Sequence, residues 1–144
     1  MFASGAEALV NPVNCVGVSG KGLALIFRKL FPGNQRVYED ACRDMLLRVG
    51  EPYPYRLQDG ENPLWIINFP TKQNWRDPSR IEWIREGLMT MNRIVMRRGI
   101  RSVAVPALGC GEGGLEWEPV KKLMSEVLVD RNTTEYLVYE PHMA

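Results

Sequence analysis

The stretch Ser102-Val103-Ala104-Val105-Pro106-Ala107-Leu108-Gly109-Cys110-Gly111-Glu112-Gly113-Gly114-Leu115 decides the fold. It opens on a short apolar run closed by proline, which is how a strand buried on both faces reads. Four glycines follow within the six positions 109–114, and Glu118-Pro119 then starts a helical stripe of Val120, Leu123 and Val127. Strand, glycine loop and helix in that order make half of a parallel α/β unit. Glycines this dense lose much conformational entropy on folding, a cost that points to close approach of something to the backbone.

The same order recurs upstream. Ala8-Leu9-Val10 ends in Asn11-Pro12, Leu64 to Phe69 ends in Pro70, and downstream Glu135 to Tyr139 ends in Pro141, each apolar, short and bounded. Helical spacing lies between. Leu23, Phe27 and Leu30 recur until Phe31-Pro32-Gly33, and Val37, Ala41 and Met45 recur until Gly50, predicting two core-facing helices. Asp77-Pro78 reads as an N-cap followed by proline at the first helical position, with Ile81, Ile84, Leu88, Met91 and Val95 turned inward before Gly99. Strands alternating with helices imply a mostly parallel, helix-covered sheet whose ligand site lies beyond the carboxyl ends of its strands.

Composition narrows the function. At 144 residues and 45% hydrophobic content the chain suits one domain with one core. Lys plus Arg at 18 against Asp plus Glu at 17 leaves a net charge of +1, so any nucleic-acid partner must be met by a local patch. Cys15, Cys42 and Cys110 have neither zinc-site nor disulfide spacing, which suits a reducing cytosol. No apolar run approaches the roughly 20 residues needed to span a bilayer, and no leader pattern opens the chain, so the expected location is cytoplasmic with no membrane partner.

Three segments fall at strand ends. In Asn11-Pro12-Val13-Asn14-Cys15-Val16-Gly17-Val18-Ser19-Gly20-Lys21-Gly22 the glycines allow close backbone approach and the following helix N-terminus favours an anion, although an ordinary tight turn uses glycines in the same way. The spacing matches neither a Walker A loop nor a dinucleotide fingerprint. The second segment is the glycine loop Gly109 to Leu115, in which Cys110 reads as a small filler: the one histidine, His142, is near the C-terminus and no motif pairs them. The third is Asn68-Phe69-Pro70-Thr71-Lys72-Gln73-Asn74-Trp75-Arg76. A lysine after a strand is usually a solvated charge, but between two such loops desolvation would favour a neutral amine able to act as nucleophile or base. Trp75 and Arg76 offer a stacking face and a phosphate partner, with a tryptophan packed under its own loop as the plainer alternative.

Together Asn11-Pro12-Val13-Asn14 with Gly20-Lys21-Gly22, Asn68 to Lys72 with Trp75-Arg76, and Leu108 to Leu115 with Trp117 resemble the macrodomain family, in order from Glu7 to about Pro141. More narrowly they are similar to the DarG-type DNA ADP-ribosyl glycohydrolases, the antitoxin macrodomains. The resemblance implies a three-layer α/β/α sandwich around a mixed, mostly parallel sheet. It implies ADP-ribose as ligand, held by Asn11, Asn14, Cys15, Val16, Gly17, Ser19, Gly20, Lys21, Gly22 and Thr71 and by Gly109, Cys110, Gly111, Glu112, Gly113, Gly114 and Leu115. Lys72 and Asn14 would be catalytic, Asn14 placing the distal ribose. Trp75 and Arg76 would contact DNA, and basic residues including Lys21, Arg28, Lys29 and Arg80 could follow its backbone. The implied reaction removes ADP-ribose from thymidine in single-stranded DNA, requires no metal or redox cofactor, and has a cognate ADP-ribosyltransferase toxin as partner. A non-catalytic ADP-ribose reader, or a hydrolase of O-acetyl-ADP-ribose or protein-linked esters, would use the same loops. Two departures stand out. Relatives open with a strand ending in Gly-Asp or Gly-Asn just ahead of the position of Met1, which contacts adenine, so here the first strand is expected to be shortened or missing. The terminal ADP-ribose protein glycohydrolases share the Thr-Lys pair but carry a second catalytic aspartate where this chain has Gly113, next to Glu112.

Overall fold

The computed structural model describes residues 1–128 and 134–141. The elements run β1 (Ala8–Asn14), α1 (Gly22–Leu30), α2 (Pro32–Arg43), β2 (Tyr53–Arg56), β3 (Trp65–Lys72), α3 (Ile81–Arg97), β4 (Ser102–Val105), α4 (Trp117–Val127) and β5 (Glu135–Val138). The sheet order is β2-β3-β1-β4-β5, with β3, β1, β4 and β5 mutually parallel and β2 antiparallel at the edge. Among the described residues no strand precedes Ala8.

Alternation along the strands builds the two faces. Ala8, Val10, Ile67 and Phe69 pack with Ile84, Leu88, Met91 and Val95 of α3 and with Val120 and Met124 of α4. Leu9, Ile66 and Ala104 face the other way and meet Phe27 of α1, while Val13 meets Tyr38 of α2. The result is the three-layer sandwich. Gly87 sets how closely α3 lies on the sheet, since a Cβ there would sit 2.7 Å from Phe69 Cε1.

The outline differs from the sequence reading at four places. β1 and β3 run through Pro12 and Pro70 to Asn14 and Lys72. The missing N–H groups cost nothing there, because β4 pairs with β1 only at Ala8 and Leu9 and β2 leaves β3 at Asn68. β2 has no counterpart in the reading, since Pro54 disguises it; the strand is tolerated because it is an edge. α3 begins at Ile81, not beside Asp77-Pro78: Ser79 N–H donates to Gly113 O at 2.9 Å, holding the segment extended until Arg80. α2 stops at Arg43, leaving Met45 81% exposed, and Leu30 of α1 is also exposed. The face α2 buries is instead Asn34, Gln35, Tyr38 and Ala41.

Candidate active site

Parallel pairing brings the first and third segments together. Asn14 stands opposite Lys72 across a bulge after Val13, and Cys15 N–H donates to Gln73 O at 2.9 Å, so the two chains leave the sheet side by side. Lys72 is only 8% exposed. Its Nζ donates to Trp75 O at 2.9 Å and to Glu112 O at 3.5 Å, spanning from its own loop to the glycine loop. These two contacts leave the nitrogen with hydrogen-bonding capacity for a ligand.

Asn14 organises the first loop. Its Oδ1 accepts from Val16 N–H at 3.1 Å, Val18 N–H at 3.3 Å and the Tyr38 hydroxyl at 2.8 Å, and its Nδ2 donates to Val18 O at 2.8 Å. The single Tyr38 proton is shared with Asn14 O, also at 2.8 Å. Burial raises the Tyr38 hydroxyl far above its ordinary range, so it remains a donor and fixes which way the Asn14 amide points. Removing that hydroxyl in Tyr38→Phe keeps the packing ring and loses one buried hydrogen bond, worth about 1 kcal/mol. Amide exchange at Val16 and Val18 is therefore expected to quicken roughly fivefold, with little change elsewhere in the sheet; equal exchange would show that Tyr38 does not hold this loop.

Both loops present unused donors. The N–H groups of Ser19, Gly20 and Lys21, and of Gly111, Glu112 and Gly113, have no hydrogen-bond partner among the described residues. The helices that follow start without side-chain caps, α1 after Lys21 and α4 after Glu116, and α1 has no acidic residue in its first turn. Free N–H groups ahead of an uncapped helix suit an anion.

The glycines of the second loop divide by role. Gly109 and Gly113 are required by the protein itself: a Cβ at Gly109 would meet Leu115 Cδ1 at 2.8 Å, and one at Gly113 would overlap Ser79 Oγ and lie 2.6 Å from Gly109 O. Gly111 and Gly114 have nothing within 4 Å of a Cβ, although Gly114 has a φ of +77°. Their surroundings are open to a ligand. Gly20 and Gly22 are similarly open in the first loop.

Several named residues lie away from the cleft. Asn11 is 1% exposed, and its Nδ2 donates to Asn68 Oδ1 at 3.1 Å within a buried asparagine cluster that also ties Asn68 to Asn34. Thr71 is buried, its hydroxyl directed at Val13 O at 3.5 Å. Ser19 is buried too, its hydroxyl accepting from Gln35 Nε2 at 3.2 Å, so only its backbone faces outward chemistry. Val16, Val18 and Trp75 are exposed around the cleft, and the Arg76 guanidinium lies 4.7 Å from the Trp75 ring centroid. Tyr38, Gln35 and Ser79 are not legible as site residues in the sequence. A polar stripe on α2 is the available signal for the first two, and Ser79 has none.

The thiols are not activated. Burial, with the neighbouring Cys42 second, pushes Cys15 up from 9.0 to about 11, and burial also raises Cys42 and Cys110. Cys110 Sγ lies 3.6 Å from Leu108 O and 3.8 Å from Glu116 O, while His142 is outside the described residues. Raised in the folded state, the Cys15 thiol contributes stability that is present below its unfolded value and lost as pH rises from 9.0 through about 11. Alkylation of Cys15 at about pH 8 is expected to be slower in the native chain than in denaturant; equal rates would contradict the burial argument.

Among the described residues no group of His, Cys, Asp or Glu could hold a metal ion, and no helix is long and apolar enough to cross a membrane. A groove of about 310 Å³ lies between α4 and β5, lined by Trp117, Lys121, Met124 and Tyr136 among others. It holds neither glycine loop nor Lys72.

Known proteins fit this geometry. The structure resembles the macrodomain of Mycobacterium tuberculosis DarG with a TM-score of 0.95 at 40% identity, covering 98% of this chain and 93% of that one. It resembles the macrodomain of Thermus aquaticus DarG with a TM-score of 0.92 at 43% identity, covering 96% and 92%. A Thermosipho africanus DarTG structure in complex with ADP-ribose matches with a TM-score of 0.89 at 40% identity, over 98% of this chain and 39% of that one. A Thermus aquaticus protein named DNA ADP-ribosyl glycohydrolase is 44% identical over 135 residues, which is 94% of this chain but 38% of that relative's length. The Macro domain family model matches residues 10–124, and the chain belongs to that family.

Proposed function

We propose that this domain binds ADP-ribose and hydrolyses it from ADP-ribosylated thymidine in DNA. The observation that carries the reading is Lys72 Nζ, held at 2.9 and 3.5 Å by carbonyls of two segments, with unused backbone donors on either side. An elongated ligand with a central diphosphate matches two donor-lined loops at neighbouring strand ends. The diphosphate is cradled by the N–H groups of 19–21 and 111–113, and the distal ribose lies beside Asn14. Lys72 then meets the anomeric carbon, which it polarises toward water, or attacks as the neutral amine to form a carbon–nitrogen bond while the N-glycosidic bond breaks and the base departs with the amine's proton, the new bond then being hydrolysed to free the amine. Water supplies the oxygen that closes the reaction, the base regains its proton, and ADP-ribose leaves as the free sugar. No redox step is involved. Holding the ADP portion still supplies much of the rate.

The DNA substrate is favoured by the names of the relatives and by Trp75 at the mouth. A relative from Thermosipho africanus, 41% identical over 143 residues, is named as a fusion of DNA ADP-ribosyl transferase and DNA ADP-ribosyl glycohydrolase. A transferase toxin in the same cytoplasm is accordingly the partner whose product this domain removes. Competition tests the reading: O-acetyl-ADP-ribose is added to a reaction on a thymidine-ADP-ribosylated single-stranded oligonucleotide. With DNA as the substrate, the oligonucleotide is turned over and the metabolite competes poorly. Preferential turnover of the metabolite would make this a metabolite hydrolase, and saturable ADP-ribose binding without release from either would make it a reader.

A further inference from the structure

The segment that leaves Lys72 carries more than the catalytic amine. Asn74 Oδ1 accepts from Arg76 N–H at 3.2 Å and Asp77 N–H donates to Asn74 O at 3.1 Å, turning the chain so that Trp75 stands outward. Trp75 is 44% exposed and is the one aromatic among the large exposed apolar residues described. One face of its ring is covered by Arg76 at 4.7 Å. Four residues on, Arg80 lies 5.3 Å from the centroid of Trp83. Neither arginine forms an ion pair among the described residues, although Asp77 and Glu82 share the stretch. Between 72 and 85 there are four cations, Lys72, Arg76, Arg80 and Arg85, against those two acids. The segment is anchored at both ends of this rim, by Lys72 Nζ on Trp75 O and by Ser79 N–H on Gly113 O.

We infer that the rim from Trp75 to Trp83 is a single-stranded DNA track: a base next to the modified thymidine stacks on Trp75, and the adjoining phosphates are held by Arg76 and Arg80. Two guanidinium groups held against indole rings are pre-positioned, so less side-chain freedom is lost when a phosphate binds. An outward-facing indole needs a base that is not already stacked, which favours a single strand over a duplex. The opposite rim has cations, Lys21, Arg28 and Lys29, but no exposed aromatic beside them. The strand therefore leaves the active site along the start of α3, past Lys72.

This rests on the DNA reading above, and two separate assays keep the outcomes apart. In the first, a fluorescent unmodified oligothymidylate is titrated against the wild type and the Arg76→Gln/Arg80→Gln and Trp75→Ala variants over a range of salt. The track predicts binding by the wild type and roughly tenfold weaker binding for Trp75→Ala. In the double variant the salt slope should be smaller by about 1.4, because neither arginine then neutralises a phosphate. In the second assay, kcat/KM is compared on a modified oligonucleotide and on ADP-ribosylated thymidine mononucleoside. Arg80→Gln should lower the oligonucleotide value severalfold through KM and leave the mononucleoside value unchanged. Equal oligothymidylate binding and slope in all variants would overturn the track. So would a wild type that turns over oligonucleotide and mononucleoside equally well. If the wild type releases ADP-ribose from neither substrate, the hydrolase proposal has failed, and the oligothymidylate titration alone decides whether the track exists.

Discussion

Lys72→Ala is expected to lower the rate of ADP-ribose release by about two to four orders of magnitude, the usual weight of a positioned nucleophile or proton-transfer group. Affinity for free ADP-ribose should change little, because the unused donors of the two loops are backbone N–H groups of other residues. The substitution does remove two hydrogen bonds, to Trp75 O and Glu112 O, and so relaxes the link between the loops. Lys72→Met separates the effects, since it keeps most of the buried stem while removing the amine. If Lys72 acts chemically, both variants are equally slow at saturating substrate. If it only ties the loops, both instead lose ADP-ribose affinity while kcat survives, and stopped-flow turnover alongside calorimetric titration tells these apart.

A second large effect is expected at Gly113. A Cβ there would overlap Ser79 Oγ and lie 2.6 Å from Gly109 O, so Gly113→Ala must shift backbone rather than a flexible side-chain end. The Ser79 N–H to Gly113 O bond, 2.9 Å long, would be strained with it. Overpacking of this kind costs about 1–3 kcal/mol in stability, and a cradle that loses the same energy should bind ADP-ribose about 5- to 150-fold more weakly. Gly113→Asp, with a larger side chain in the same space, should be worse still. Gly111→Ala is the control: nothing lies within 4 Å of its Cβ and its φ is not positive. Thermal unfolding should barely respond to Gly111→Ala while ADP-ribose binding weakens, because the added methyl occupies the space open to the ligand. Unchanged binding in Gly111→Ala would remove that glycine from the cradle.

Fold and site are legible in the sequence wherever local signals agree with tertiary demands. β4 is readable to the residue, because an apolar run closed by Pro106 has no competing reading. The α3 start is misplaced because Asp77-Pro78 is a sound local cap that loses to one long-range bond, Ser79 to Gly113. Pro12 and Pro70 look like strand ends because pairing on only one side, which excuses a missing N–H, is a property of the sheet and not of the strand. The Lys72 position is legible from its place after a strand; its fastening to Glu112, forty residues away, is not. Asn11 and Asn14 look alike in the sequence three residues apart, yet one is spent in a buried asparagine cluster and the other templates a loop, a difference set by what α2 brings to each.

Hydrolysis of the DNA adduct by Lys72 is decided by one experiment. The wild type and Lys72→Ala are saturated equally with a thymidine-ADP-ribosylated single-stranded oligonucleotide, verified by matched ADP-ribose affinity, and the oligonucleotide's mass is followed with time. Return to the unmodified mass is expected with the wild type, and persistence of the adduct with Lys72→Ala. Persistence of the adduct with both proteins, or its loss at the same rate with both, would contradict that assignment.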